Sequence, residues 1–143
     1  MKKVKNLLQQ KSKNLFSVTP DTTVYDALKI MVEKNLGALI IMEDGKFTGI
    51  FTERDYARKV IVKGKSSKET PVSEIIAEKP LTVTPETTIS DCMEMMTSGF
   101  VRYLPVIENN ELVGLVSIGD IVKFIIEEQK YIIDNLQGYI SGQ

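Results

Sequence analysis

Val18-Thr19-Pro20-Asp21-Thr22-Thr23 decides the fold, because the same pattern returns as Val83-Thr84-Pro85-Glu86-Thr87-Thr88. The two stretches lie 65 residues apart, and this offset holds without a gap from Val18 to Ile61. Over those 44 positions, 12 residues are identical to their counterparts in the second copy. Self-similarity at a fixed period is typical of a repeated structural unit. The chain therefore consists of two diverged copies of one unit.

Each copy predicts the same order of elements: strand, helix, strand, strand, helix. The first strand stops at Pro20 or Pro85, because proline has no amide hydrogen for a central ladder. Thr23 and Thr88 are predicted N-cap residues, each followed three residues later by a carboxylate that opens the helix. The two helices are expected to end near Asn35 and Gly99. The remaining segments are apolar strands at 38–42 and 103–107, hairpin turns at 43–46 and 108–111, and return strands at 47–51 and 112–116.

The second helix of each copy is predicted to begin at Thr52 or Ser117. Polar, turn-rich residues 64–70 indicate a linker, followed by a short helix around 72–76. The helix from Ser117 to about Ile140 is unusually long, and its apolar residues extend beyond the stripe that one neighbour covers. We therefore expect this helix to pack on a partner.

The composition argues against several classes of protein. The 143 residues include 18 Lys and Arg, 19 Asp and Glu, no His and one Cys. A net charge of -1 argues against broad binding of nucleic acids. The missing His and the single Cys argue against structural zinc and a disulfide framework. No apolar run reaches the length of a signal-peptide core or a membrane span, so we expect a cytoplasmic protein without a membrane partner.

The candidate functional motifs are Gly49-Ile50-Phe51-Thr52-Glu53-Arg54-Asp55 and Gly114-Leu115-Val116-Ser117-Ile118-Gly119-Asp120. Each places a hydroxyl at a strand-to-helix junction, where free N–H groups and the helix dipole favour a phosphate. The Asp three residues later lies on the same side, where its carboxylate can accept two ribose hydroxyls. Each hydroxyl and Asp pair is also a capping box, and capping alone would explain it. Recurrence of the whole pattern in both copies favours ligand binding.

Together, the Val-Thr-Pro pattern, the strand pair and the Gly-h-h-(Thr/Ser)-x-x-Asp motif resemble a CBS domain, named after cystathionine beta-synthase. The resemblance covers roughly residues 15 to 126. It implies an α+β fold in which two pseudo-symmetric β-α-β-β-α CBS repeats pack as one module, with a long C-terminal helix. The expected divisions are CBS repeat 1 at 15–63, a linker at 64–79, CBS repeat 2 at 80–126 and a C-terminal helical extension at 127–143.

The resemblance also implies two clefts between the repeats, which in many family members bind adenosine nucleotides or related adenosyl ligands. The first cleft would contain Thr19, Leu36, Gly37, Ala38, Arg102, Ser117, Gly119 and Asp120. The second would contain Thr52, Arg54, Asp55, Thr84, Val101 and Tyr103. In the first cleft Asp120 would hold the ribose and Ser117 the phosphate, and we favour this cleft. Arg102 would be a phosphate-binding cation there, or else a solvated charge at a strand edge.

The function that follows is a regulatory sensor module with no required cofactor. Its ligand would be AMP, ADP, ATP or S-adenosylmethionine, and hydroxyl and Arg contacts favour a phosphorylated adenosine over the sulfonium compound. We expect the signal to pass to an unknown effector protein or through a homodimer. The alternative is a ligand-free protein-interaction or dimerisation module. An enzyme is not favoured, because the sequence offers no activated nucleophile, metal cluster or matched acid and base.

Overall fold

The computed structural model describes residues 1–11, 15–76 and 79–140, which form two compact units. The first-repeat unit contains the described residues of 15–82 together with 107–113, and the second-repeat unit contains 1–11, 83–106 and 114–140. The expected linker and C-terminal extension include residues 77–78 and 141–143, which lie outside the described residues. No helix within the described part of the chain is long and apolar enough to cross a membrane.

The elements follow the predicted order in both copies, with one helix before the first copy. In chain order they are α1 (Val4–Gln10), β1 (Ser17–Val18), α2 (Val24–Lys34), β2 (Ala38–Glu43), β3 (Lys46–Thr52), α3 (Glu53–Asp55), a π-helical turn (Tyr56–Ile61), a 3₁₀ helix (Val72–Glu74), α4 (Ile89–Gly99), β4 (Tyr103–Glu108), β5 (Glu111–Ser117) and α5 (Ile118–Ile140).

The first helix of each copy begins and ends at its predicted residues. The Thr23 side chain accepts a hydrogen bond from the Asp26 amide at 3.1 Å, and Thr88 does the same for Asp91. These bonds satisfy amides that have no partner within the helix. α2 then ends in a left-handed residue, Asn35, with φ 55°. α4 ends in the same conformation one residue beyond the predicted Gly99.

The strands form one small sheet in each copy. β1 lies parallel to β2, and β2 is antiparallel to β3 with a bulge after Ile41. In the second copy β4 pairs with β5, and the predicted first strand is reduced to a single parallel bridge from Val83 to Val106. Both hairpin turns have two residues of positive φ, the geometry that suits a two-residue hairpin. These turn residues are Asp44 and Gly45, and Asn109 and Asn110.

The second helices differ between the copies. The helix predicted to begin at Thr52 is present, but only its first three residues, α3, are α-helical, and it continues as the π-helical turn after Asp55. α5 begins after Ser117 and reaches Ile140, as predicted. The short helix expected around 72–76 is the 3₁₀ helix Val72–Glu74.

Each core includes a short segment that precedes the other repeat in the sequence. We call residues 2–8 and 70–76 the leading segments. Val4 and Leu7 are buried in the core of the second-repeat unit, and Val72 and Ile75 in that of the first-repeat unit. Matching backbone bonds attach the two segments: the amide of Ile89 donates to Lys2 at 3.0 Å, and that of Val24 donates to Thr70 at 2.8 Å. The leading segments are therefore equivalent parts of the two units.

Candidate functional site

Both candidate motifs form complete capping boxes at the hairpin-to-helix junction. In the first-repeat unit the Thr52 amide donates to Asp55 Oδ2 at 3.0 Å, and the Asp55 amide donates to Thr52 Oγ1 at 3.1 Å. In the second-repeat unit the bonds between Ser117 and Asp120 are 2.9 and 3.0 Å. The capping interpretation is therefore realised in both copies.

A backbone hydrogen bond also ties each junction to the residue before the first strand of the hairpin. The amide of Glu53 donates to the carbonyl oxygen of Gly37 at 3.1 Å, and that of Ile118 donates to Arg102 at 2.9 Å. Gly37 and Arg102 are equivalent positions of the two copies. Within each unit, the residue before the strand and the capping box are thus held together by the same bond.

The lysines that face the two carboxylates come from different parts of the chain. Asp55 Oδ1 lies 3.4 Å from Nζ of Lys59, one turn further along the same segment. Asp120 Oδ2 lies 2.5 Å from Nζ of Lys11, the C-cap residue of α1. Lys11 also donates to the carbonyl oxygen of Leu115 at 2.5 Å. Asp120 Oδ2 is therefore shared between the Ser117 amide and the Lys11 ammonium.

A pocket of about 200 Å³ lies beside this ion pair, between α1 and α5. Of the residues that line this pocket, only Asp120 was predicted from the sequence to bind a ligand. The others are Leu7, Gln10, Lys11, Lys123, Phe124 and Glu127. The spacing of Val4, Leu7 and Leu8 could have predicted α1, with Lys11 one further turn along the same face.

The other predicted residues lie in loops and strand ends of their own units. Thr19 and Thr84 are exposed and follow the first strand positions. The Thr19 amide donates to Thr22 Oγ1 and the Thr84 amide donates to Thr87 Oγ1, each in a local turn. Arg102 and Gly119 are exposed. The partly buried members are Leu36, Gly37, Arg54, Val101 and Tyr103, whereas Ala38 is buried. Each predicted cleft combines residues of both units, so its composition stays a prediction.

The single cysteine lies in the core of the second-repeat unit. Cys92 is fully buried, and burial, together with the nearby Asp91 carboxylate, raises the pKa of its thiol to about 11. Cys92 is therefore a small core residue. Among the described residues, no group of three or more His, Cys, Asp or Glu side chains is arranged to hold a metal ion.

Two units with the same order of helix, hairpin and helix, each with a carboxylate capping box after its hairpin, define a tandem-repeat protein. The model of the CBS domain family matches residues 4–62 and 72–127. The chain therefore belongs to the CBS domain family, and the predicted family and α+β tandem fold are confirmed. Both family matches begin in or next to the leading segments, upstream of the predicted repeat limits.

Known proteins similar to this chain include close relatives and a more distant structure with a ligand. The chain is 46% identical over 129 residues to the CBS domain-containing protein CBSX3, mitochondrial, of Arabidopsis thaliana. The matched region covers 87% of this chain and 63% of the length of the relative. A solved CBS-domain protein from Burkholderia ambifaria has 43% identity and a TM-score of 0.85, covering 89% of this chain and 96% of its own. The fold is shared with CBSX2 in complex with AMP, at 22% identity and a TM-score of 0.75, covering 89% and 98% of the two chains.

Proposed function

We propose that the chain is a regulatory module that binds a phosphorylated adenosine, AMP, ADP or ATP, with S-adenosylmethionine as the less favoured ligand. The observation that carries this proposal is the recurrence of one hydroxyl and carboxylate box, tied to the same backbone position, in two diverged copies. The AMP complex of a protein with the same fold supports the ligand class. The bound state would be transmitted to an effector protein or through a homodimer, in a reducing cytoplasmic setting.

The chemistry of the second-repeat box suits this ligand. The Ser117 oxygen accepts a bond from the Asp120 amide, which leaves the hydroxyl hydrogen able to donate to a phosphate oxygen. The box stands at the N-terminus of the 23-residue helix α5, where the dipole favours an anion. An ionised Asp120 accepts hydrogen bonds only, and two ribose hydroxyls supply donors. None of these roles requires a catalytic group.

The experiment that tests the proposal is calorimetric titration with AMP, ADP, ATP, S-adenosylmethionine and GTP at fixed salt and magnesium. Asp120→Asn keeps an oxygen that accepts from the Ser117 amide but loses the charge that strengthens a ribose bond. We expect about tenfold weaker binding in this variant, since a hydrogen bond to a charged group contributes about 1.5–3 kcal/mol. Asp55→Asn measures the contribution of the other copy.

Asp91→Ala is the matched control, because Asp91 is also a first-turn carboxylate but belongs to neither candidate box. Its ligand affinity should equal that of the unaltered chain. Unchanged affinity in both Asp120→Asn and Asp55→Asn would contradict the assignment of the ribose carboxylates. The absence of binding by any adenosine compound would contradict the proposed function as a whole.

A second candidate function is a ligand-free interaction module, and one observation favours it. α5 leaves large apolar side chains exposed over its full length, including Val122, Ile133 and Leu136, each about half exposed. Exposed apolar surface of this extent marks an interaction site. A chain that binds none of the adenosine compounds but self-associates would fit this second function.

A further inference from the structure

Positive charge is concentrated at the end of the π-helical turn and in the residues that follow it. We call residues 58–68 the basic turn, which contains no Asp or Glu and five basic residues, Arg58, Lys59, Lys63, Lys65 and Lys68. In the rest of the chain, acidic residues outnumber basic ones by 19 to 13. The basic turn therefore has a charge opposite to that of the remaining chain, and this asymmetry favours contact with an anionic surface.

Few carboxylates neutralise the basic turn. Nζ of Lys59 lies 3.4 Å from Asp55 Oδ1, and Nζ of Lys65 lies 3.9 Å from Glu74 Oε2, a long distance for an ion pair. The other three basic side chains of the turn form no ion pair with any described residue. Most of the positive charge is therefore available to a partner.

Two aliphatic side chains lie exposed among these charges. Ile61 is 58% exposed and Val62 is 75% exposed, whereas the preceding Val60 is fully buried in the core of the first-repeat unit. An anionic bilayer matches both properties of the turn. Its headgroups attract the basic side chains, and the boundary with the acyl chains accepts apolar ones.

Backbone bonds hold the basic turn in one conformation. The Lys65 amide donates to the carbonyl oxygen of Val60 at 2.9 Å, across a reversal at Gly64. Gly64 has φ 68°, the left-handed conformation that glycine adopts without strain. The Tyr25 amide donates to the carbonyl oxygen of Ser67 at 2.9 Å and so ties the turn to α2. Because the turn is already ordered, binding carries little cost in conformational entropy.

We propose that the basic turn adsorbs to an anionic lipid surface, with Ile61 and Val62 inserted at the boundary between headgroups and acyl chains. A second copy in a two-fold contact is a poor occupant, because two basic turns would then face each other. A nucleic acid would use the positive charge but would leave both aliphatic side chains without an apolar partner.

This proposal differs in kind from the earlier inferences. The expectation of no membrane partner rested on the lack of a spanning segment, and adsorption to a bilayer surface needs no such segment. The lipid contact also depends on no adenosine ligand, and it therefore goes beyond the proposed function.

Co-sedimentation with vesicles tests the lipid and the charge. The chain should bind vesicles of phosphatidylcholine with about one third phosphatidylserine, and should not bind vesicles of phosphatidylcholine alone. Raising NaCl from about 0.1 M to about 0.5 M should weaken this binding. Lys63→Ala with Lys65→Ala should weaken it roughly twentyfold, since each basic residue at such a surface strengthens binding about fivefold. Lys46→Ala with Lys130→Ala is the matched control, because it removes the same charge from exposed positions outside the basic turn.

Replacement of the aliphatic pair separates a bilayer from other polyanions. Ile61→Ser with Val62→Ser keeps every charge and should weaken binding to the anionic vesicles about tenfold, because two apolar side chains no longer enter the bilayer. Leu81→Ser with Val113→Ser is the matched control, at exposed aliphatic residues outside the basic turn. Urea unfolding verifies that both variants are folded.

Loss of vesicle binding in both test pairs, with binding retained in their controls, supports the lipid contact. Equal sedimentation with neutral and anionic vesicles, or none with either, would overturn it. Vesicle binding that Ile61→Ser with Val62→Ser leaves unchanged would also overturn it. Equally tight binding of a DNA duplex would then identify the basic turn as a general contact for polyanions.

A fluorescent label gives an independent measurement of insertion. Val62→Cys labelled with a thiol-reactive, environment-sensitive dye should shift its emission to shorter wavelength only with anionic vesicles. The native Cys92 does not take up the dye, because it is fully buried and its thiol pKa is raised to about 11. Tyr131→Cys, at an exposed residue of α5, is the labelled control and should show no shift. Unchanged emission from labelled Val62→Cys would contradict insertion.

Discussion

At the scale of the residue, the two candidate carboxylates differ in the origin of their counter-ion. Lys59 reaches Asp55 from the next turn of the same segment, whereas Lys11 reaches Asp120 from α1, 109 residues away in the sequence. A ribose that uses Asp120 Oδ2 must compete with this ammonium. The ion pair therefore sets part of the affinity of the second-repeat box for any ligand.

We expect Lys11→Met to strengthen the binding of adenosine by up to about fivefold. The reason is that a partly exposed ion pair contributes about 0.2–1 kcal/mol, which the ligand no longer has to offset. Titration calorimetry with adenosine measures the change directly. Lys59→Met is the control for removal of a lysine beside the other carboxylate. Weaker binding of adenosine to Lys11→Met would mean that Lys11 contacts the ligand rather than competing with it.

The buried thiol of Cys92 leads to a separate prediction about its reactivity. Burial disfavours the thiolate, so the raised pKa of about 11 keeps the thiol protonated through the neutral range. In the folded chain, reaction with a thiol-specific disulfide reagent at pH 8 should be far slower than in urea-unfolded chain, as followed by absorbance. Equal rates in the two states would show that Cys92 is accessible.

The sequence predicted Asp55, Asp120 and their capping partners because a capping box is a local pattern of four residues. It did not predict Lys11, because the contact joins distant parts of the chain. α1 was missed for a more specific reason. The leading segments repeat with an offset of 68, as Val4 and Val72 show, whereas the rest of each copy repeats with an offset of 65. A comparison without gaps pairs Val4 with Glu69 and hides the equivalence.

At the scale of the element, the local signals predicted α2, α4 and both hairpins well. Capping threonines and turn residues with positive φ act within a few positions, so the sequence shows them directly. The π-helical turn at Tyr56–Ile61 has no such signal. Its wider turn accompanies complete burial of Val60, which depends on residues elsewhere in the first-repeat unit.

We expect the leading segments to contribute as much to stability as the central strands. Leu7→Ala and Ile75→Ala should each lower the free energy of unfolding by about 2–4 kcal/mol, because each removes a buried aliphatic side chain. Urea unfolding followed by circular dichroism measures the loss. Val32→Ala, at a residue that is mostly exposed on α2, should change the value by less than about 0.5 kcal/mol. A loss below 1 kcal/mol at Leu7 would show that α1 is dispensable to the core.

At the scale of the whole molecule, the repeat alone established a tandem α+β protein, and the family match confirms it. Which unit each leading segment joins was beyond the sequence. Val4 with Leu7 and Leu8 has the same spacing and polarity as Val72 with Ile75 and Ile76. Because both segments share this pattern, either segment would fit either core equally well. The pattern therefore does not predict which core each leading segment joins.

The exchange of leading segments sets an order of events during synthesis on the ribosome. The first-repeat unit can complete its core once Ile75 has emerged, because its remaining core residues come earlier in the chain. Residues 2–8 are made before the first repeat but have no core to join until α5 is translated as far as Phe124. During that interval Val4 and Leu7 are apolar side chains without their native partners. The apolar side chains of residues 2–8 therefore stay without their native contacts until Phe124, close to the end of the second repeat, has been synthesised.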